Sequence, residues 1–194
     1  MRTAGAICAL TFFLLASAAN AADYRDLNLY FGAGQSPIGL RGHSVFRTVT
    51  LELTAHSKLI DRWLPNTEAG ASLSYSKIRQ ARSWFGYQYG DPDDHVRAET
   101  SYFFLRHNWR EASTWRPYLE LGTGPMWSNR RVPAATSRFN FDSQLGFGVA
   151  LGARSPWRIG YRFQHISNAG TAGRNPGLEV HSFLLGVRIR DLRK

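Results

Sequence analysis

The sequence predicts an all-β protein, an eight-stranded antiparallel transmembrane β-barrel, on three observations. From Asp26 onward the chain breaks into stretches of about ten residues in which apolar and polar side chains alternate, the period of a strand with two unlike faces. The face opposite the apolar one mixes glycine with Arg, Glu, Asp and Gln, which suits a narrow and tightly filled polar lumen. Trp and Tyr recur near the ends of the stretches, where a girdle at the membrane interface would stand. A soluble sandwich is the competing arrangement, but it would turn the apolar face inward and give the other face to water.

Before the first stretch, Met1 and Arg2 make a positive start, Ala4 to Leu15 form a short apolar run, and small residues follow at Ala16, Ser17, Ala18, Ala19 and Ala21. This pattern predicts a signal peptide over residues 1–21 with an A-x-A cut after Ala21, leaving a barrel domain over 22–194. Cys8 is the single cysteine and leaves with that segment, so disulfides and thiol chemistry are excluded from the mature chain. The net charge of +10 points to an anionic partner. For an exported chain that means phosphorylated lipid headgroups rather than nucleic acid.

The stretches follow in order. Leu27, Leu29 and Phe31 alternate with Asn28 and Tyr30; Val45, Val49, Leu51 and Leu53 with Ser44, Thr48, Thr50 and Glu52; Ala71, Leu73 and Tyr75 with Ser72, Ser74 and Ser76. The fourth, Thr100 to Trp109, is aromatic and its faces are mixed. The fifth sets Leu119 and Leu121 against Arg116, Glu120, Gly122 and Gly124, and the sixth sets Phe141, Leu145, Phe147, Val149 and Leu151 against Asn140, Asp142, Gln144, Gly146 and Gly148. In the seventh, Trp157, Ile159, Tyr161 and Phe163 oppose Arg158, Gly160, Arg162 and Gln164; in the eighth, Phe183, Leu185, Val187 and Ile189 oppose Ser182, Gly186, Arg188 and Arg190. The connections after the odd stretches (Gln35–His43, Ile78–Arg97, Ser128–Arg138 and Asn168–Pro176) are mostly longer than the turns at Arg110–Ser113 and Ala153–Pro156. Long loops face outward in such barrels, so both termini are expected in the periplasm. His56–Asn66 is long for a periplasmic turn and would hold a brief helix or an extended strand end.

One stretch carries chemistry. His165 and Ser167 lie two apart on the seventh strand and share the parity of Trp157 to Phe163, while Glu179 shares the parity of Phe183 to Ile189 on the eighth. All three therefore stand on the lipid-facing side, just beyond the apolar band. An imidazole beside a serine can take its proton as the oxygen attacks a carbonyl, and a carboxylate on the other ring nitrogen fixes the tautomer. Cross-strand reach from Glu179 to His165 is available in either of two adjacent same-face registers. Asn168, Asn175 and the amides near Ala169 and Gly170 are candidate oxyanion donors, and glycines at 170, 173 and 177 let the loop backbone come close. The plain alternative is that polar residues simply mark where the strands leave the membrane.

These residues resemble a known family. The run His165-Ile166-Ser167-Asn168, then Asn175, then Glu179, is similar to the catalytic segment of the lipid A 3-O-deacylases of the outer membrane, the PagL family, down to the twelve-residue spacing from Ser167 to Glu179. The resemblance implies Ser167 as nucleophile, His165 as general base, Glu179 as its orienting carboxylate, and Asn168 and Asn175 in or behind the oxyanion hole. It implies an outer-membrane serine esterase acting on lipid A or lipopolysaccharide in the outer leaflet, without a cofactor; a homodimer is left open. One departure is the ending, Arg190 to Lys194, where such barrels commonly finish on an aromatic residue; slower membrane insertion is expected from it.

Glu52, Glu120, Asp142, Arg116, Arg158 and Arg162 fall on the lumen face and are expected to form a structural ion-pair network. Arg130, Arg131, Arg138 and Arg174 lie in outer loops, where they would either bind lipid phosphates or stand as solvated loop charge. His181 is a neighbour of the site, and His43, His56, His95 and His107 show no ligand spacing, so no metal is expected. The rival readings are a non-catalytic adhesin or structural barrel, and a barrel phospholipase or acyltransferase.

Overall fold

The computed structural model describes residues 23–36, 44–80, 83–84, 87–88, 95–109, 114–133, 136–151 and 156–192. The expected signal peptide, His43, Arg193 and Lys194 lie outside them, as do most of the two short turns. Strands β1 (Asp23–Ser36), β2 (Ser44–His56), β3 (Thr67–Arg79), β6 (His95–Asn108), β7 (Trp115–Ser128), β8 (Phe139–Leu151), β9 (Trp157–Ser167) and β10 (Leu178–Asp191) build the barrel. They close in the order β1-β10-β9-β8-β7-β6-β3-β2, and each neighbouring pair is antiparallel. The β3–β6 connection carries a two-residue pair, β4 (Ser83–Trp84) and β5 (Tyr87–Gln88). The segment after β2 does both things open to it: β2 runs on to His56, and a helix α1 (Lys58–Trp63) follows.

The barrel is inside out with respect to a soluble protein. Phe183 is 71% exposed while Arg106 is fully enclosed, and the same inversion holds along each strand. Such an exterior is stable only in an apolar solvent, so the sheet spans a membrane and its apolar side faces lipid. Trp63, Trp109, Trp115 and Trp157 all lie exposed at the rim that carries the chain ends, forming a girdle at one interface.

The lumen is filled by charge. Arg106 donates from Nη1 and Nη2 to the two carboxylate oxygens of Glu52, at 2.8 and 2.7 Å, and from Nε to Glu120 at 3.1 Å. Arg162 donates to the other Glu120 oxygen at 2.9 Å, and Arg158 to Asp26 at 2.9 Å. Asn28 and the Tyr30 hydroxyl donate to Glu52 at 3.1 and 3.3 Å, and Phe104 and Tyr118 flank the Arg106 guanidinium at 4.8 and 4.9 Å. Buried charges hold this way only when each is paired and hydrogen-bonded. Of the expected network Glu52, Glu120, Arg158 and Arg162 form ion pairs, while Asp142 accepts from the amides of Gln144 and Gln164; the hub, Arg106, sits on the strand whose alternation is mixed. There Tyr102 and Phe104 turn inward with Arg106 while Phe103 and Leu105 turn outward, so aromatic residues on both faces erase the hydropathy signal. At the opposite rim the lumen is closed by an apolar cap that includes Phe46, Ile78, Val96, Met126, Ile166 and Val180.

Candidate active site

Strand β9 ends with His165 and Ser167, and β10 begins one residue before Glu179. The ladder sets Glu179 directly opposite His165 and Leu178 opposite Ile166. That selects one of the two registers open in the sequence. His165 Nδ1 stands 3.5 Å from Glu179 Oε1, with the side chains 45% and 50% exposed. The intervening Ile166, Leu178 and Val180 point inward and belong to the apolar cap, so the two strands that carry the site are anchored from behind.

Ser167 lies on the same outward face as His165. Among the described residues no hydrogen bond joins the two. Same-face neighbours on a strand stand about 6.8 Å apart at Cα, a gap the imidazole and hydroxyl bridge only in rotamers that aim them at each other. Ten residues separate Trp157 from Ser167, about 34 Å along a strand and about 26 Å along the membrane normal at a tilt of about 40°. The apolar band of such barrels is about 25 Å tall. Ser167 therefore sits at the second interface, at headgroup depth.

The loop from 168 to 177 is knitted around Asn168, which is fully buried. Its backbone N–H donates to Asn175 Oδ1 at 3.0 Å, its Nδ2 donates to the Arg174 carbonyl at 2.7 Å, and its Oδ1 accepts from Gly170 N–H at 2.9 Å. Thr171 returns two bonds to the Asn168 carbonyl, from N at 3.0 Å and from Oγ1 at 2.7 Å. The amides of Asn168 and Gly170 are thus engaged in holding the loop, and Asn175 Nδ2 keeps its hydrogens among the described residues. Gly177 has φ +68°, and a Cβ there would come within 2.9 Å of His165 Cε1. Its backbone is the wall against which the imidazole rests.

Two neighbours complete the surroundings. One row toward the membrane from Glu179, His181 hydrogen-bonds through Nδ1 to the Tyr161 hydroxyl and packs its ring against Phe163 and Tyr161. It is tied to the lipid-facing aromatics and not to the Ser–His–Glu group. On the other side Ser143 stands opposite His165, joined to Thr123 at 3.0 Å. Sequence reasoning passed over Ser143, although its signal was there: it is the one hydroxyl interrupting the outward series Phe141, Leu145, Phe147. The loop arginines divide, with Arg174 in the site loop and Arg130 and Arg131 across the rim beside β3 and β6.

A closed eight-stranded barrel with a lipid-facing exterior, a charged interior and a polar cluster on its outer face at one interface defines an outer-membrane barrel protein. The sequence matches the family described as Lipid A 3-O-deacylase (PagL) over residues 49–188, and the chain belongs to that family. In structure it is similar to the crystal structure of the outer membrane enzyme PagL, at 17% identity and a TM-score of 0.55, covering 84% of this chain and 99% of that one. It is also similar to the crystal structure of Neisserial surface protein A (NspA), at 10% identity and a TM-score of 0.54, covering 85% and 94%. No curated protein sequence matches the chain. The nearly equal TM-scores mean that the backbone does not separate an enzyme from a surface protein. Family membership comes from the matched sequence, which contains His165, Ser167, Asn168, Asn175 and Glu179.

Proposed function

We propose that this protein is an outer-membrane serine esterase that hydrolyses the 3-O-linked acyl chain of lipid A. The observation that carries the reading is the facing of His165 and Glu179 at 3.5 Å, on the same lipid-side face as Ser167. In the proposed sequence His165 takes the Ser167 proton as Oγ attacks the ester carbonyl, and Glu179 holds the imidazole in the required tautomer. Asn175 Nδ2 and the loop that Asn168 organises would support the oxyanion. His165 then returns its proton to the departing sugar oxygen, and water activated by the same imidazole frees the fatty acid from Ser167. A lipid-facing site suits this substrate. The acyl chain stays in the bilayer while its ester meets the hydroxyl, so nothing is lifted into water at about 0.8 kcal/mol per CH₂.

The test is a mass spectrum of lipid A from cells expressing the wild type or Ser167→Ala. Loss of one hydroxyacyl chain with the wild type and its retention with the variant is the expected result. An unchanged spectrum with folded wild-type protein, or full activity in Ser167→Ala, sinks the proposal. The missing Ser167–His165 hydrogen bond favours one rival, a non-catalytic surface barrel, for which single substitutions of Ser167, His165 and Glu179 would be silent. Release of free fatty acid, without a new acylated lipid, separates hydrolysis from acyl transfer.

A further inference from the structure

The second feature of the long-loop rim lies on the opposite wall of the barrel. In the cyclic strand order two strands separate β9 from β6 in one direction, and two separate β10 from β3 in the other. On β2, β3 and β6, Arg47 stands directly opposite Lys77, and Lys77 directly opposite Arg97. All three point outward and are exposed. One row nearer the rim, Arg79 pairs with His95. Like charges abreast at strand spacing repel. Among the described residues no ion pair relieves Arg47, Lys77, Arg79 or Arg97, and the acid on these rows is Glu99, one row below beside Tyr75.

Beneath the cations β2 and β3 turn apolar, through Val49 and Tyr75 and then Leu51 and Leu73, while β6 carries Glu99 and Ser101 in the same rows. Two shallow grooves follow this division. The upper, about 450 Å³, is lined by Arg47, Lys77, Arg79 and Arg97 with Val45 and Val96. The lower, about 480 Å³, is lined by Phe31, Ala33, Val49 and Tyr75 and shares Arg47 and Lys77 with the upper. Twelve residues separate Arg97 from the girdle residue Trp109, about 41 Å of strand and about 31 Å of membrane normal at a tilt of about 40°. The apolar band of such barrels, about 25 Å tall, ends below that height. The cationic row therefore lies at headgroup height, with the apolar groove at acyl-chain height directly below. The β7–β8 loop is fixed against the same wall: Gln80 donates to the Arg131 carbonyl at 2.8 Å, and Arg97 N–H donates to Asn129 Oδ1 at 2.8 Å.

We infer that the outer face of β2, β3 and β6 is a binding site for a second lipid A molecule, its phosphates on Arg47, Lys77 and Arg97 and an acyl chain in the groove below. Guanidinium forks and an ammonium match phosphate oxygens, and the repulsion among the cations is relieved when an anion bridges them. Being across the barrel from Ser167, this lipid is not the one presented for hydrolysis. Its leaflet rests on the outward placement of the long-loop rim in the proposed function; its chemistry does not.

The test uses the full mature chain carrying Ser167→Ala, so that no lipid is consumed, folded in neutral detergent and titrated with diphosphorylated lipid A under native mass spectrometry. The expected result is two bound lipids, with affinity for one of them falling about a hundredfold in Arg47→Gln/Lys77→Gln/Arg97→Gln, the effect of removing three interfacial cations. Lipid A stripped of its phosphates should lose the same lipid, and Lys58→Gln/Arg62→Gln at the other rim should keep both. Heat-modified gel migration confirms that each variant is folded. Undiminished binding by the triple variant overturns the site, and so does equal filling by phosphatidylglycerol. Failure of the deacylase proposal would show in the cellular lipid A spectrum and leave this binding measurement untouched.

Discussion

Gly177→Ala separates the placement of His165 from the strain of its loop. Gly177 has φ +68°, and an alanine Cβ would lie 2.9 Å from His165 Cε1. An L-residue in the left-handed region costs about 1–2 kcal/mol. Carbon atoms prefer about 3.5–4.0 Å, so the imidazole must retreat by roughly 0.6–1 Å. The side chain is 45% exposed, so the clash moves the imidazole, the proposed base, and leaves the barrel intact. Displacement by about 1 Å lowers a reaction rate as much as a hundredfold. Two other glycines of the loop serve as controls. Gly170 has φ +78° with nothing within 4 Å of its Cβ position, and at Gly173 neither the angle nor a neighbour intervenes. Release of hydroxyacyl chains from lipid A in mixed micelles, with a urea midpoint for each variant, is the assay. Gly170→Ala and Gly177→Ala should lose similar stability, only Gly177→Ala should lose roughly tenfold to a hundredfold in rate, and Gly173→Ala should lose neither. Equal rate losses at 170 and 177 would refute the role of Gly177 as the wall of the imidazole.

The remaining predictions concern the lumen, the exterior and the carboxylate. Among the described residues Arg106→Met takes from Glu52 its arginine partner and leaves Glu120 with Arg162 alone, and should destabilise the barrel by about 3–5 kcal/mol; urea unfolding in lipid vesicles measures it, and a change under about 1 kcal/mol removes Arg106 as the hub. Leu121 is 64% exposed and six residues above Trp115. In lipid, Leu121→Arg should cost about 2–4 kcal/mol, whereas on a water-facing surface it would stay within about 0.5 kcal/mol. On the proposed mechanism Glu179→Ala should slow deacylation roughly tenfold to a hundredfold, less than Ser167→Ala, because it would remove an orienting group and keep the nucleophile; equal losses in single-turnover rates would give Glu179 a direct part in the chemistry.

Much of the fold was legible because alternation reports on one strand at a time. The eight stretches correspond to the eight barrel strands, and the outward set on β8, from Leu145 to Leu151, reads directly as the lipid face. On β6 the stretch read from sequence, Thr100 to Trp109, misses the first five residues of a strand that begins at His95, and aromatics on both of its faces hide the inward place of Arg106. In the site, the shared face of His165 and Ser167 followed from a spacing of two. Asn168 was legible as a polar residue at the right place, but its bonds to Asn175, Arg174 and Gly170 depend on how the loop folds back.

The sequence alone therefore determined the strand number, the lipid-facing exterior and the face on which His165, Ser167 and Glu179 stand, since each is set by a period of two within a strand. The tertiary structure decided what depends on alignment between strands far apart in sequence. It put Glu179 opposite His165, Arg106 between Glu52 and Glu120, Gly177 against the imidazole, and Arg47, Lys77 and Arg97 abreast on the far wall. A shift of one residue in any ladder would carry those side chains to opposite faces, and register is a property of the closed sheet rather than of any one strand.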